Sequence, residues 1–195
     1  MQRATAVLLV LALAPAAQAV TWTLDPNHTS VQFSVRHMMV STVRGGFDKV
    51  TGTVEEDPAD LGKSKVEATI DAASVDTRVA KRDDHLRSPD FLDVAHHPTI
   101  TFRSKRAEKA GAGRWRLVGD LTLHGVTKEV VLDVEGPTAT VKDPMGSLRA
   151  GVHATTTIDR KDFGLVWNRA LDGGGVVVGD EVAIAIDAEA TRPAN

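Results

Sequence analysis

Seven histidines and one compact polar turn hold most of the chemistry this sequence can offer. The histidines are His28, His37, His85, His96, His97, His124 and His153, and the turn is Arg82-Asp83-Asp84-His85-Leu86. A metal centre would need three or four ligands converging, each oriented through its other ring nitrogen. His96 and His97 are adjacent and precede Pro98, and neighbours on an extended chain point apart. His124 falls in a turn and His153 on the polar face of its strand, so no metal site and no cofactor are predicted. His37 shares the apolar side of its segment, which directs it inward. It reads as a hydrogen-bonded structural histidine or as a contact to a ligand's polar end, with metal ligation the weakest of the three. Arg82 and His85 admit two readings. They could meet an anionic or carbonyl group, or they could pin a helical segment through an Arg–Asp pair. Signatures of covalent or metal-assisted catalysis are missing: there is no Cys, no Gly-x-Ser-x-Gly and no His-Glu-x-x-His. Gly62-Lys63-Ser64 echoes the end of a phosphate loop, but Asp57 stands where its first Gly belongs.

The elements that must position these residues have period two. Val31, Phe33, Val35 and His37 alternate with polar neighbours, as do Val66, Ala68 and Ile70, and then Ile100 and Phe102. Trp115, Leu117, Gly119, Leu121 and Leu123 follow, then Val130, Leu132 and Val134. Leu148 to Ala154 and Val182 to Ala188 close the series. With a strand near Phe47 to Val54, this gives about eight strands, each apolar on one face. Gly45-Gly46, Asp57-Pro58, Gly111-Ala112-Gly113, His124-Gly125, Gly136-Pro137, Asp143-Pro144-Met145-Gly146 and Gly173-Gly174-Gly175 read as the turns between runs. Strands joined by short turns pair antiparallel, and a sheet of this size hides its edges by closing. An all-β antiparallel barrel is therefore expected. Arg78 to Leu92 lacks alternation and carries Val79, Leu86 and Phe91 at helical spacing, which predicts a short helix and loop across a barrel end. Arg160 to Leu171 is a second irregular stretch with a similar expected role.

An exported barrel of this size also raises the outer-membrane alternative. Membrane barrels carry aromatic girdles at both interfaces, and a chain with three Trp and no Tyr favours a soluble barrel. Export itself is read from the N-terminus. Arg3, the apolar run Ala6 to Ala14, Pro15 and Ala17-Gln18-Ala19 have the order of a signal peptide over residues 1–19, with cleavage between Ala19 and Val20. The run is too short to span a bilayer, and no later run approaches that length, so residues 20–195 are expected as one domain without a transmembrane segment. With no Cys, stability must come from burial rather than from disulfides. A net charge of −3, with basic residues scattered among acids, excludes a nucleic-acid partner.

Several blocks carry a family resemblance. Trp22-Thr23-Leu24-Asp25-Pro26-Asn27-His28-Thr29-Ser30, Phe33-Ser34-Val35-Arg36-His37, Arg82 to Leu86 and Ser88-Pro89-Asp90-Phe91-Leu92-Asp93 come first. Pro98 to Phe102, Gly119 to Thr127 and Arg160 to Trp167 follow in order. Together they resemble the YceI-like proteins from about Trp22 to Ala190, with Thr29 and Leu92 as mild variants of the commonest residues. The resemblance implies an extended lipocalin-like barrel around an apolar tunnel. It also implies a polyisoprenoid, isoprenoid quinone or fatty amide ligand, a periplasmic location and, in some members, a link to stress. The expected role is sequestering or transport of that lipid. An enzyme acting on a lipid or quinone head group, and a ligand-free structural or stress protein, are the alternatives. A homodimer stays open. Contacts to the tail are expected from Phe33, Val35, Phe47, Phe102, Leu121 and Leu123 along the wall. At the barrel end ligand contacts are expected from Met38, Met39, Leu86, Phe91, Phe163 and Trp167, with His37, Arg82 and His85 meeting the ligand's polar end.

Overall fold

The computed structural model describes residues 19–194. The signal peptide predicted over residues 1–19 therefore falls, but for Ala19, outside the described residues. In chain order the elements are β1 (Val20–Leu24), β2 (Ser30–His37), β3 (Ser41–Phe47), β4 (Val50–Glu56), β5 (Lys65–Asp71), β6 (Val75–Asp76) and α1 (Ala80–Arg87). There follow β7 (Thr99–Gly111), β8 (Arg114–Leu123), β9 (Val126–Glu135), β10 (Val141–Lys142), β11 (Ser147–Asp159) and β12 (Val178–Pro193). Eleven of the twelve strands form a closed antiparallel barrel of eight, because three of its staves are interrupted. β1 and β2 lie end to end along one edge of β12, with Thr23 opposite Thr191 and Ser30 opposite Asp187. β3 and β4 likewise pair with β2 and β1, and β5 and β6 with β4 and β3. β7, β8, β9 and β11 follow, and β11 meets β12 along its whole length to close the ring. The remaining strand, β10, flanks β11 alone.

Closure explains the alternation. Along β11, Ala150, Val152, Ala154, Thr156 and Ile158 face the interior, and His153 between them pairs with Asp187 on the surface. Outward positions carry ion pairs such as Lys105–Asp120 at 2.6 Å and Arg114–Glu135 at 3.1 Å. Exposed pairs of this kind add at most about 1 kcal/mol each, but they make the outer wall charged and the inner wall apolar. That is the reverse of a lipid-embedded barrel.

The structure departs from the sequence reading at two strands. Gly45 and Gly46 lie inside β3, opposite Phe33 and Gln32, and are not a turn. Their lack of a side chain serves close approach: a Cβ on Gly45 would stand 2.7 Å from the Phe33 ring and 2.8 Å from the Asp76 carbonyl oxygen. Phe47 ends β3 and Val50 opens β4, so the single strand expected from Phe47 to Val54 is broken at Asp48-Lys49.

One barrel end is capped by α1, the segment 88–98, the β8–β9 turn and the segment 160–177. Val75, Leu92, Ile100, Leu123, Phe163 and Leu165 are buried together there. Buried polar side chains tie the cap down. Asp83, 5% exposed, accepts from the Thr77 backbone N–H at 2.9 Å and from the Thr77 hydroxyl. Arg82 donates to Thr77 Oγ1 at 2.7 Å and to its carbonyl at 2.8 Å. Arg160, 3% exposed, donates to the carbonyls of Leu165, Trp167, Val178 and Gly179 and to Asp180. Those bonds use all five N–H groups of a guanidinium. The opposite end is spanned by a 3-10 turn, Leu61–Lys63, and by the segment 136–140.

Candidate functional site

The barrel is not packed solid. It encloses a cavity of about 440 Å³ that runs from Leu86, Phe91 and Leu165 at the capped end to Trp22, Trp115 and Thr140 at the other. This volume falls within the range of small-molecule sites. Its space arises where strand pattern and side-chain size meet. On β11 and β12, Ala150, Ala154, Ala188 and Ala190 occupy lining positions, and alanines there leave the centre unfilled. The lining on β11 extends from Ala150 to Ile158, about 27 Å along the strand. At the tilt usual for barrels this is about 20 Å along the axis.

The wall is almost wholly hydrocarbon, and several of its few polar groups have partners in the protein. Glu56 accepts from Trp22 Nε1 at 2.6 Å, and the Ser64 hydroxyl accepts from the Asp57 N–H at 3.1 Å. The Thr138 hydroxyl accepts from the Gly151 N–H at 3.0 Å. Arg160 also reaches the lining, with its donors engaged as described. Such an interior selects for apolar guests, because a polar group placed there meets mostly hydrocarbon and finds few partners to replace water.

Of the residues expected at the site, Phe33, Val35, Phe47, Phe102, Leu121 and Leu123 line the barrel wall of the cavity, and Leu86 and Phe91 line its capped end. The other seven lie elsewhere. His37 ends β2 opposite Ser41 and Val178, beyond Val35. Met38 and Met39 form a left-handed turn (φ 50° and 60°) and are 41% and 59% exposed. Phe163 is buried in the capping cluster. Arg82 is held by Thr77, so it pins the cap, though through Thr77 and not through an Arg–Asp pair. His85 wedges edge-on between the rings of Phe91 and Trp167, at centroid distances of 5.0 and 4.9 Å, and its Nε2 lies 2.8 Å from Asp90 Oδ2. It is one ring away from the cavity. Lining residues outside the expected set include Trp22 and Leu24 of β1 and Leu61 of the 3-10 turn. β1 is too short for its alternation to register as a strand. Trp115, Leu117 and Ile184 also line the cavity, and their period-two spacing marked them as inward-facing.

Comparison with known proteins agrees with this architecture. Residues 22–190 match the YceI-like domain. A UPF0312 protein of Staphylococcus aureus is 40% identical over 169 residues, covering 86% of this chain and 95% of that relative. The crystal structure of the Campylobacter jejuni YCEI protein superposes with a TM-score of 0.66 at 29% identity, over 82% of this chain and 90% of that one. A polyisoprenoid binding domain from Saccharophagus degradans, implicated in plant cell wall breakdown, shares the fold with a TM-score of 0.66 at 19% identity, over 88% and 98%. With a domain match across nearly the whole barrel and a relative at 40% identity, the chain belongs to the YceI-like family.

Proposed function

We propose that the protein is a periplasmic binding and carrier protein, not an enzyme, that holds the tail of a long apolar lipid inside the barrel. The tail is of the polyisoprenoid, isoprenoid quinone or fatty amide type. The observation that carries this reading is the continuous apolar cavity of about 440 Å³. The family resemblance and the polyisoprenoid-binding description of the Saccharophagus domain, which has the same fold, support it. So does the signal-peptide pattern that ends at Ala19. Phe33, Val35, Phe47, Phe102, Leu121 and Leu123 contact the tail, and Leu86 and Phe91 meet its innermost or outermost part at the cap. Burial returns about 0.8 kcal/mol per CH2, or about 3 kcal/mol gross for one isoprene unit. Ordering the chain and association offset much of this. A few units still suffice for retention without any catalytic or charged group.

Native mass spectrometry with lipid extraction, on protein purified from its own periplasm, tests the proposal. A co-purifying apolar lipid of defined mass is the expected result. A protein that carries none, and that takes up no polyisoprenoid, quinone or fatty amide on titration, overturns it.

A further inference from the structure

We infer that Asp93, His97 and His124, at the capped end, form a binding site for a divalent transition metal of the zinc class. One ligand atom from each of the three lies within 4.8 Å of the others. Ligands in a tetrahedral zinc site with bonds near 2.0–2.1 Å stand about 3.4 Å apart. The cluster therefore needs a contraction of about 1 Å, within reach of small side-chain rotations. Two imidazoles and a carboxylate suit zinc and its neighbours, and they leave open positions for water.

The surroundings are arranged as metal ligands require. His124 Nδ1 faces the Phe163 carbonyl oxygen at 3.3 Å. A ring that donates there keeps Nε2 as a free lone pair, which is the usual way a protein orients a ligating histidine. His97 lies over Gly125, where a Cβ would stand 2.6 Å from its Cε1, and a Cβ on Gly164 would stand 3.3 Å from His124 Nδ1. The two imidazoles thus occupy space that glycines leave open, with ring centroids 4.7 Å apart. The Asp93 carbonyl accepts the His97 N–H at 2.8 Å, closing a turn that holds the two residues together. The Asp93 carboxylate is 16% exposed, and its two oxygens lie 3.0 and 2.9 Å from Nδ1 of His96, a side chain itself 75% exposed. Among the described residues no Lys or Arg pairs with that carboxylate, so its charge is available to a cation.

In a second cluster, Asp25, His28 and Glu189, the ligand atoms also lie within 4.8 Å of one another. It already holds a cation: Arg149 Nη1 is 2.7 Å from Asp25 Oδ2 and is paired with Glu189. The two clusters therefore provide a built-in control. A metal at Asp93–His97–His124 would join the segment 88–98 to the β8–β9 turn, two parts of the cap that are separate in sequence.

The test uses chelator-treated protein without a histidine tag, titrated with zinc chloride by calorimetry and with cobalt chloride by visible absorption. Thermal melting is followed with and without zinc. One equivalent should bind, cobalt should develop d–d bands in the visible, and zinc should raise the Tm. His97→Gln and Asp93→Asn should weaken binding by about tenfold or more and lose the zinc-dependent rise, while His28→Gln keeps both. Absence of stoichiometric binding overturns the inference. So does binding that survives both His97→Gln and Asp93→Asn, or binding that is lost in His28→Gln, which would place the metal at the other cluster.

Discussion

Leu121 and Thr122 are one peptide apart and on opposite sides of the barrel wall. Leu121 lines the cavity, whereas the Thr122 hydroxyl bonds Thr127 on the surface at 2.8 Å. Leu121→Asp puts an unpaired carboxylate into hydrocarbon, so lipid uptake should fall by tenfold or more, at a cost to stability of about 2–5 kcal/mol. Thr122→Asp should be mild in both. Emission from Trp22 and Trp115, which line the cavity, reports the titration. Arg82 and His85 separate by the same logic. Arg82→Ala removes two hydrogen bonds to Thr77 and should lower stability by about 1–3 kcal/mol with affinity unchanged. His85→Ala distinguishes a head-group contact from scaffolding. A contact predicts binding about tenfold weaker for a lipid with a polar head and unchanged for a bare hydrocarbon; scaffolding predicts a lower Tm with both affinities intact. At this scale the wall was legible in the sequence because inward residues recur every second position. The destinations of Arg82, Met38, Met39 and His97 were not legible, since each depends on which loop from elsewhere in the chain meets it.

Among the elements, one guanidinium ties together three segments at the end opposite the α1 cap. Arg149 of β11 donates to Asp143 Oδ2 at 2.7 Å and to Asp25 Oδ2 at 2.7 Å, and pairs with Glu189 of β12. It joins the β10–β11 turn, the break between β1 and β2, and the closing strand. Its hydrogen bond holds the Asp25 and Asp143 carboxyls below the usual carboxylate value, and they in turn raise Arg149. Carboxylates depressed in the folded state contribute stability that is present above the unfolded value and is lost as pH falls through the folded one. Chemical denaturation followed from about pH 5 to about pH 2 should therefore show stability falling, because the unfolded chain takes up protons that the folded carboxylates do not. Arg149→Met should be less stable at neutral pH and show a shallower acid decline. An equally steep decline in both proteins would assign the acid sensitivity to other carboxylates. Eight staves were countable from the alternation, but their interruptions were not. Gly45-Gly46 reads as a turn in sequence, and only the approach of Phe33 and Asp76 to Gly45, and of the Val31 carbonyl to Gly46, explains two glycines in mid-strand.

At the scale of the whole molecule, the last strand completes the structure. β12 pairs with β1, β2 and β11, so the first and last described strands are neighbours and the ring stays open until both are present. This has a consequence for the order of events during synthesis. Growing from its N-terminus, the chain completes every other stave while β1 and β2 still lack their partner, and contacts of such long sequence separation form late. A nascent polypeptide without β12 should remain extensible and open to chaperones, the condition that the proposed export would require. Ribosome-stalled chains ending near Gly175 should accordingly be digested by a low dose of protease, whereas released full-length protein resists it. Resistance already present in the stalled chains would mean that the first eleven strands fold on their own, and that the proposed export would have to outrun them.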